Sequence, residues 1–407
     1  MLPEHRRISR SRRWFLRAAA LFGGGFTALK STSAAAADLP NRLGGPVSAY
    51  GSRSRFEKAL RLVGNPRTPQ AASSLTPLRD SHGMITASAL HYERHHSGVP
   101  DLDPSTHTLT IHGLVNRQLV FTMDELKRFP SVSRIFFLEC SGNTSSEWRG
   151  ANAMDVQRSH GLTSCSEWTG VWLSTLLREC AVTPAGMWIL AEGADAARVA
   201  RSIPMAKAMK DVLVAYAQNG EPLRPEQGYP LRLIVPGFEG IINIKWLHRL
   251  KVIDQPAMTR WETSRYTDLM PDGTSRIFTL EMDVKSVITR PSGGDRLPGR
   301  GVYEISGLAW SGRGSIARVD ITTDGGATWS PAELQTPVLP LAHTRFRASW
   351  NWNGGDALIA SRALDDSGHL QPTLQDLVKL RGLNSGYHNN AILPWNVSST
   401  GAVTNGL

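Results

Sequence analysis

The chain has 407 residues, a length that fits two domains of ordinary size with ample core. Hydrophobic residues make up 41% and charged residues 20%, proportions that exclude a disordered or membrane-embedded chain. The formal net charge of +10 would suit a nucleic-acid-binding protein. However, residues 1–37 carry seven basic residues against one acidic residue, a net +6, which leaves +4 for the rest. No nucleic acid is therefore expected as a partner.

Residues 1–37 follow the pattern of an export signal. A twin-arginine motif at 11–17 precedes a mildly apolar run at 18–29, and the alanines at 34–37 supply the small residues that a signal peptidase needs. We expect cleavage near Asp38 and no membrane span afterwards, because the apolar run is too short to cross a bilayer. The twin-arginine route carries folded proteins to the periplasm, often with a cofactor already inserted. The signal therefore favours a periplasmic protein with a bound cofactor.

The chain has three cysteines, Cys140, Cys165 and Cys180. An odd count leaves at least one free thiol, and a bridge between Cys165 and Cys180 is compatible with the sequence but not indicated by it. The sequence contains no Cys-x-x-Cys-His motif and no zinc-type Cys/His spacing. We therefore expect no haem on this chain.

Two domains are predicted after an N-terminal arm. Residues 38–80 are rich in glycine, proline, serine and arginine and are expected to form an extended arm with one short helical stretch at 56–63. Between 81 and 270 strands and helices alternate, which predicts a mixed α+β domain. Its predicted strands cover 109–115, 135–139, 211–217 and 231–235. Its predicted helices cover 122–129, which is capped at its start, and 171–180.

Residues 271–400 have an all-β pattern. Strands are predicted at 303–310 and 316–323, then, after the turn Asp324-Gly325-Gly326, at 328–329, and further at 346–352 and 357–363. Short strands separated by turn signals at this spacing are typical of a β-sandwich.

Cys140 is the first candidate for chemistry. It ends a predicted buried strand and is followed by small residues, Ser141 and Gly142, which let a bulky group approach the sulfur. A core cysteine beside a tight turn would give the same pattern. Spacing alone favours that second interpretation.

Two basic clusters are further candidates. Arg94, His95 and His96 would bind an anion or a cofactor, or form a solvated loop. Arg232 lies in an apolar strand ahead of a glycine-rich loop and Lys245, which suits either a phosphate site or an arginine that reaches the surface along the strand.

Taken together, these clusters resemble one family in order and spacing, the sulfite oxidases. The matching motifs of the cofactor domain are Arg94-x-His96, Cys140-x-Gly142-Asn143, Trp168-x-Gly170, Gly228-Tyr229-Pro230-Leu231-Arg232 and Lys245-Trp246. The matching motifs of the family's immunoglobulin-like dimerisation domain are Gly307-x-Ala309-Trp310-Ser311-Gly312 and Asp324-Gly325-Gly326-x-x-Trp329. The resemblance covers almost everything after residue 80. It implies a molybdopterin-binding catalytic domain at 81–270 and an immunoglobulin-like dimerisation domain at 271–400.

Within that family the chain resembles the molybdenum subunit of sulfane dehydrogenases, from the thiosulfate-oxidising Sox system. The motifs that carry this likeness are Glu147-Trp148-Arg149-Gly150-Ala151, Glu262-Thr263-Ser264-Arg265-Tyr266, Lys285-Ser286-Val287-Ile288-Thr289 and Tyr387-His388-Asn389-Asn390.

The resemblance implies a role for each matching site residue. Cys140 would ligate molybdenum, while Arg94 and Tyr266 would line the substrate pocket and hold an oxyanion. The molybdenum–molybdopterin cofactor would be held by His96, Asn143, Asp195, Arg232 and Lys245.

Two positions depart from the family pattern. Sulfite oxidases usually have arginine just after Cys-x-Gly-Asn, whereas this chain has Thr144 and Ser145. The loss of a cation weakens the case for free sulfite and agrees with a neutral or protein-tethered sulfane sulfur. Gln227 stands where a histidine often contacts the cofactor, so that contact is not carried over.

The sequence therefore predicts a periplasmic molybdenum enzyme that oxidises sulfane sulfur on a carrier protein by oxo transfer. Its electrons would pass to a separate c-type cytochrome, and the chain would form a homodimer, within a heterotetramer if the cytochrome is included. The alternatives are a sulfite dehydrogenase acting on free sulfite and a cofactor-free binding protein on the same fold.

Overall fold

The computed structural model describes residues 44–64, 66 and 68–407. The predicted signal peptide and the first residues of the predicted arm lie outside the described residues. The chain divides into two units between Glu57 and Lys58. Of the first unit, residues 44–57 are described, and they are exposed and form neither helix nor strand.

The second unit begins with a small antiparallel sheet. Its strands are β1 Leu62–Val63, β2 Ser73–Leu75 and β3 Glu93–Arg94, in the order β1-β2-β3. The helix predicted at 56–63 is wrong, because Leu62 and Val63 pair with β2 and sheet hydrogen bonds prevail over a weak local helical pattern. The sheet also holds Arg94 in place, since Arg94 pairs with Ser73.

The α+β domain is built on two five-stranded sheets. Its strands are β4 Thr108–Gly113, β5 Leu119–Thr122, β6 Val132–Glu139, β7 Thr163–Trp172, β8 Trp188–Gly193, β9 Ala200–Pro204, β10 Leu213–Gln218, β11 Glu221–Pro222, β12 Arg232–Ile234 and β13 Leu247–Ile253. One sheet has the order β5-β4-β13-β8-β9, and β4 and β13 are its parallel pair. The other has the order β11-β10-β7-β6, with β12 also paired to β10.

The helices of this domain are short. They are α1 Met123–Leu126, α2 Val156–His160, α3 Leu173–Cys180, α4 Met205–Lys210 and α5 Arg260–Thr263. The predicted cap of α1 is present, because Thr122 and Glu125 form a reciprocal capping box, but the helix has a single turn. The helix predicted from residue 171 begins at Leu173, since residues 171 and 172 complete β7.

One apolar core fills the space between the two sheets and the helices. It includes Leu109 and Ile111 of β4, Leu250 of β13, Val214 of β10 and Leu176 of α3. Every second residue of the strands and the apolar stripe of α3 supply this core, because side chains share one face at a period of about 2 in a strand and about 3.6 in a helix.

The second domain is a β-sandwich, as predicted. After the hairpin of β14 Asp268–Leu269 and β15 Ser275–Arg276, its strands are β16 Lys285–Arg290, β17 Gly301–Trp310, β18 Ile316–Thr322, β19 Ser330–Pro331, β20 Glu333–Leu334, β21 Thr344–Trp352, β22 Ala357–Asp365, β23 Trp395–Val397 and β24 Val403–Asn405. The two sheets have the orders β16-β17-β21-β20 and β19-β18-β22-β23-β24. One helix that the sequence reading did not predict, α6 Leu374–Arg381, lies between β22 and β23 and is capped by Thr373.

The core of the sandwich continues into the first domain. Phe137 of β6 and Cys165 of β7 belong to the same buried cluster as Trp310, Phe346 and Trp395. The two domains are therefore packed together directly behind the strand that carries Cys140.

All three cysteines are free thiols, so the bridge between Cys165 and Cys180 is not formed. Among the described residues no helix has the length and apolar character needed to cross a membrane.

Candidate active site at Cys140

Cys140 directly follows β6, whose last four residues are buried. Its N–H donates to the carbonyl of Leu162 over 3.0 Å, and its own carbonyl accepts from the N–H of Asn143 over 2.8 Å, so the strand ends in a tight turn. Gly142 leaves room beside the sulfur, since a Cβ there would lie 3.8 Å from Sγ of Cys140. The half-buried thiol consequently faces a cavity.

Residues from distant segments of the chain form the wall of this cavity. Seven of the eight site residues predicted from the sequence lie in it: Arg94, His96, Cys140, Asp195, Arg232, Lys245 and Tyr266. The rest of the wall includes Tyr92, His95, Gln227, Gly240, Asn243 and Trp246. The fold therefore brings together groups that the sequence separates by up to 172 positions, from Arg94 to Tyr266.

Asn143 is the predicted site residue that the structure does not place in this wall. Its side-chain amide donates to Oε1 of Glu139 over 2.9 Å, and its side-chain oxygen accepts from the N–H of Leu162 over 3.1 Å. Asn143 is fully engaged in shaping the turn that carries Cys140.

The loop after β12 packs closely against the cysteine. A Cβ at Gly240 would lie 2.8 Å from the carbonyl oxygen of Glu139 and 2.9 Å from the hydroxyl of Tyr92. Only glycine fits here without displacing its neighbours. This glycine-rich loop was suggested by the sequence as a phosphate site. In the structure it packs against the backbone of Glu139 and Cys140.

The thiol of Cys140 has a raised pKa. Burial is the main cause, and the hydrogen bond from the backbone of Gly142 and the charge of Arg94 act in the opposite direction. The free thiol is therefore protonated at neutral pH, and a metal ion that binds the sulfur must displace that proton.

Lys245 is held by three acceptors. Its Nζ donates to Nδ1 of His95 over 2.7 Å and to the carbonyls of Arg94 and Glu226, each over 3.2 Å. Because Nδ1 of His95 accepts from the lysine, its Nε2–H donates to Glu93 over 2.8 Å. Burial and the nearby charge of Arg232 lower the pKa of Lys245 well below its usual value. An anion in the cavity would restore that pKa by favouring the charged amine.

Arg232 is buried within β12 and is only partly paired. One guanidinium nitrogen donates to the carbonyl and to the side-chain oxygen of Gln227, over 3.0 and 2.9 Å, while Nε has no partner among the described residues. The guanidinium lies 5.2 Å from the ring centre of Trp168. Burial lowers the pKa of Arg232 to about 10. A buried cation without a carboxylate partner is a strong site for an anionic group.

Tyr266 and His96 form the opposite side of the cavity. The hydroxyl of Tyr266 lies 2.9 Å from Nε2 of His96, and the tyrosine ring stacks on Tyr387 at 5.1 Å. Burial and the charge of Arg94 lower the pKa of His96 to about 3, so its ring is neutral. Burial raises the pKa of Tyr266 well above its usual value. The bond therefore joins a protonated phenol to a neutral imidazole, and when the ring of His96 carries its proton on Nε2 the phenol O–H remains free to donate into the cavity.

Asp195 contributes the carboxylate of the wall. It accepts from the hydroxyl of Ser97 over 3.1 Å and from the N–H of Val199 over 3.1 Å. These bonds fix the loop after β8 against the segment that carries His96.

A buried charged group behind Tyr266 was missed by the sequence reading. Arg201 pairs with Glu239 over 2.5 Å, His388 lies 3.5 Å from the same carboxylate, and Arg201 lies 5.3 Å from the ring centre of Tyr266. Burial alone would raise the pKa of Glu239, but the charge of Arg201 and the bond to His388 bring it below its usual value. The available signal was the motif at 387–390, which carries a likeness to sulfane dehydrogenases but does not by itself indicate a charge pair.

The chemistry of the cavity fits a molybdenum–pterin cofactor. Within the described part of the chain no three His, Cys, Asp or Glu side chains converge on one point, so Cys140 is a lone soft ligand. A metal held there needs its remaining ligands from a bound organic group. The unpaired Nε of Arg232 and the amine of Lys245 suit the anionic parts of such a group.

Comparisons with known proteins agree with this fold and with a molybdopterin cofactor. Residues 96–261 match the model of the oxidoreductase molybdopterin binding domain, and residues 276–394 match that of the Mo-co oxidoreductase dimerisation domain. The chain is 30% identical to mitochondrial sulfite oxidase of Rattus norvegicus over 383 residues, 86% of this chain and 68% of that protein. It is 34% identical to nitrate reductase of Hordeum vulgare over 73% of this chain and 36% of that protein.

A solved structure covers nearly the whole described chain. The sulfane dehydrogenase SoxCD from Paracoccus pantotrophus is similar with a TM-score of 0.88 and 44% sequence identity, over 90% of this chain and 96% of that one. The chain spans 61% of mouse sulfite oxidase and a smaller part of the nitrate reductases, which are longer proteins.

The chain thus belongs to the sulfite oxidase family of molybdenum oxidoreductases, whose cofactor is molybdenum bound to molybdopterin. The predicted order of an α+β cofactor domain and a β-sandwich dimerisation domain is confirmed.

Proposed function

We propose that this chain is the molybdenum subunit of an enzyme that oxidises sulfane sulfur on a carrier protein and passes the electrons to a c-type cytochrome. The observation that carries the proposal is the cavity of Cys140, which combines a single thiol ligand with Arg94 as a cation that acts on the sulfur, while Arg232 and Lys245 are assigned to the cofactor. The higher identity to a sulfane dehydrogenase, 44%, than to the sulfite oxidase of Rattus norvegicus, 30%, supports the same substrate class.

The cofactor has a defined set of partners in this proposal. Cys140 ligates the metal through its thiolate, and Arg232, Lys245, Asp195 and His96 hold the pterin and its phosphate. When bound, the molybdenum centre supplies two-electron oxygen-atom-transfer chemistry. To hold the metal, Cys140 would have to lose its thiol proton, whose pKa burial has raised.

Arg94 and Tyr266 act on the substrate. The guanidinium of Arg94 stabilises the oxyanion that develops as sulfur is oxidised, and the phenol of Tyr266 donates a hydrogen bond to the same oxygen. The raised pKa keeps the phenol protonated, and the lowered pKa keeps His96 neutral, so both groups retain their roles across physiological pH.

The substrate class follows from the charge near the sulfur. Thr144 occupies the position at which sulfite oxidases usually have arginine, and it is buried with its hydroxyl directed to the carbonyl of Asn389. This position therefore adds no cation to the cavity. A neutral sulfane on a flexible protein arm requires less positive charge than a free dianion.

The assembly and location belong to the same proposal. The sandwich domain would join two copies of the chain, and a cytochrome subunit would complete a heterotetramer. The twin-arginine motif at 11–17 would direct the folded, loaded protein to the periplasm.

The test compares substrates on the metal-replete enzyme. Purified chain with its cytochrome partner should reduce that cytochrome with thiosulfate-loaded carrier protein far faster than with free sulfite. The opposite order would favour the second candidate, a sulfite dehydrogenase, which the sulfite oxidase relatives support. No rate with either substrate on metal-replete protein would refute both.

Two cysteine variants, one inside the cavity and one outside it, test the metal assignment. Cys140→Ala should abolish turnover and metal binding. Cys180→Ala changes a buried cysteine of α3 outside the cavity and should retain both. Full metal content in Cys140→Ala would remove the metal assignment, whereas a folded parent chain that binds neither metal nor pterin would favour the third candidate, a cofactor-free binding protein on the same fold.

A further inference from the structure

Glu139 precedes Cys140 and is fully buried, yet most of its carboxylate is bound by the other domain. Nζ of Lys285 lies 2.6 Å from Oε1, and Nε1 of Trp310 donates to Oε2 over 2.7 Å. Asn143 supplies one further bond to Oε1 over 2.9 Å from within the turn. Lys285 is the first residue of β16 and Trp310 is the last residue of β17, and the two pair across the sandwich sheet.

The pair of Lys285 and Glu139 is unusual in its burial. The two side chains are exposed by 1% and 0%, and neither lines the cavity. A buried ion pair is often no more stabilising than well-packed apolar residues, because removing two charges from water is costly. Stability alone therefore does not account for its presence directly behind the cysteine.

The far end of the cysteine turn is held by the same domain. The N–H of His388 donates to the carbonyl of Ser141 over 2.8 Å. The amide of Asn389 donates to the carbonyl of Thr144 over 3.2 Å, and the hydroxyl of Thr144 donates back to the carbonyl of Asn389. Contacts from the sandwich domain thus lie on both sides of Cys140.

We propose that Lys285 is a positioning residue for the metal site, and that the sandwich domain fixes the place and direction of the Cys140 thiol through Lys285–Glu139 and Asn389–Thr144. This inference rests on the proposed function, in which Cys140 is the metal ligand. The domain matched as a dimerisation domain therefore also completes the site within its own chain. Misplacement of reacting groups by about 1 Å can lower turnover by roughly 100-fold, which sets the sensitivity expected here.

The experiment uses the metal-loaded holoenzyme with four variants, the fourth of which, Asn389→Ala, acts on the second contact. Lys285→Met leaves the carboxylate of Glu139 buried without its cation. The double variant Glu139→Gln with Lys285→Met removes both charges but keeps an acceptor for Trp310. Lys379→Met, on the exposed face of α6, is the control. The readouts are molybdenum per chain, the thiolate-to-metal charge-transfer absorption, and kcat and KM separately.

We expect the double variant to fold and to retain molybdenum, with a shifted charge-transfer band, kcat lowered by roughly 10-fold or more and KM little changed. Lys379→Met should match the parent in every readout. Should Lys285→Met fail to fold, the double variant carries the test, because it buries no unpaired charge. Asn389→Ala, which cuts the other contact, should shift the same band.

A native charge-transfer band and a native kcat in both the double variant and Asn389→Ala would overturn the inference. That result is distinct from failure of the proposed function. Molybdenum retained in Cys140→Ala would remove the metal assignment itself, whereas molybdenum lost in Cys140→Ala with native behaviour of the double variant would remove only the positioning role of Lys285.

Discussion

The hydroxyl of Tyr266 lies 2.9 Å from Nε2 of His96, although 170 residues separate the two in the sequence. The neutral imidazole and the protonated phenol are both products of burial, which lowers one pKa and raises the other. The bond therefore fixes the phenol at the edge of the cavity with its oxygen close to the space in front of Cys140.

Tyr266→Phe tests that phenol. The variant keeps the ring that stacks on Tyr387 and removes only the hydroxyl. Loss of one donor to a developing oxyanion lowers kcat by about 100-fold, so we expect a fall of that order in steady-state turnover with unchanged molybdenum content. Tyr387→Phe keeps the same stack and serves as the control. A native kcat in Tyr266→Phe would contradict the role.

Arg232→Gln tests the anionic part of the cofactor site. The guanidinium has an unpaired Nε, so a bound phosphate or comparable group should gain a charge-assisted hydrogen bond there. Its loss should weaken cofactor retention by about 1.5–3 kcal/mol, or roughly 10- to 100-fold. Pterin fluorescence per chain after gel filtration measures this. Arg318→Gln, on the exposed side of β18, should retain the cofactor, and equal retention in both variants would contradict the assignment.

Acid sensitivity is predicted from buried histidines. Burial lowers the pKa of His343 to about 3, and its ring lies between Phe137 and Trp310 where the domains meet. A histidine with a lowered folded pKa binds fewer protons in the folded than in the unfolded state between pH 3 and 6.5. Its contribution is therefore fully present above pH 6.5 and is lost as the pH falls.

We expect His343→Gln to reduce the dependence of unfolding free energy on pH in that window by up to about 1.4 kcal/mol per pH unit. Urea unfolding at several pH values measures it. His82→Gln, at an exposed position, should leave the dependence unchanged. An unchanged slope in His343→Gln would show that this ring titrates normally in the folded chain.

A homodimer is predicted for the purified chain in the absence of any other subunit. The match of residues 276–394 to a dimerisation domain is the basis. Light scattering should give twice the mass of one mature chain at micromolar concentration. A monomeric mass would contradict the dimer. It would not affect the proposed role of the sandwich domain in positioning Cys140.

Much of the fold was accessible from the sequence because its pattern is local. The alternation in residues 303–310 and 316–323 predicted β17 and β18 of the sandwich, and the cap at Thr122 predicted the start of α1. The errors arose where tertiary pairing overrides local preference. Leu62 and Val63 form a strand because they pair with β2. Residues 171–172 belong to β7 because they pair with β10.

The site residues could be predicted mainly from their motifs. The contacts between residues far apart in the sequence could not be predicted. Seven predicted residues share the cavity, and six of them could be predicted because they lie in motifs with recognisable spacing, whereas Asp195 does not. Asn143 has the same motif but turns toward Glu139. The partners of Glu139, Lys285 and Trp310, follow it by 146 and 171 residues, and no local pattern reports a contact at that separation.

The most direct test of the central claim is the molybdenum and pterin content of the mature, folded chain and of Cys140→Ala. We expect one molybdenum and one pterin per chain in the parent and loss of the metal in Cys140→Ala, with Cys180→Ala as the folded cysteine control. A correctly matured parent protein with neither metal nor pterin, or a Cys140→Ala variant that keeps its full molybdenum content, would contradict the account.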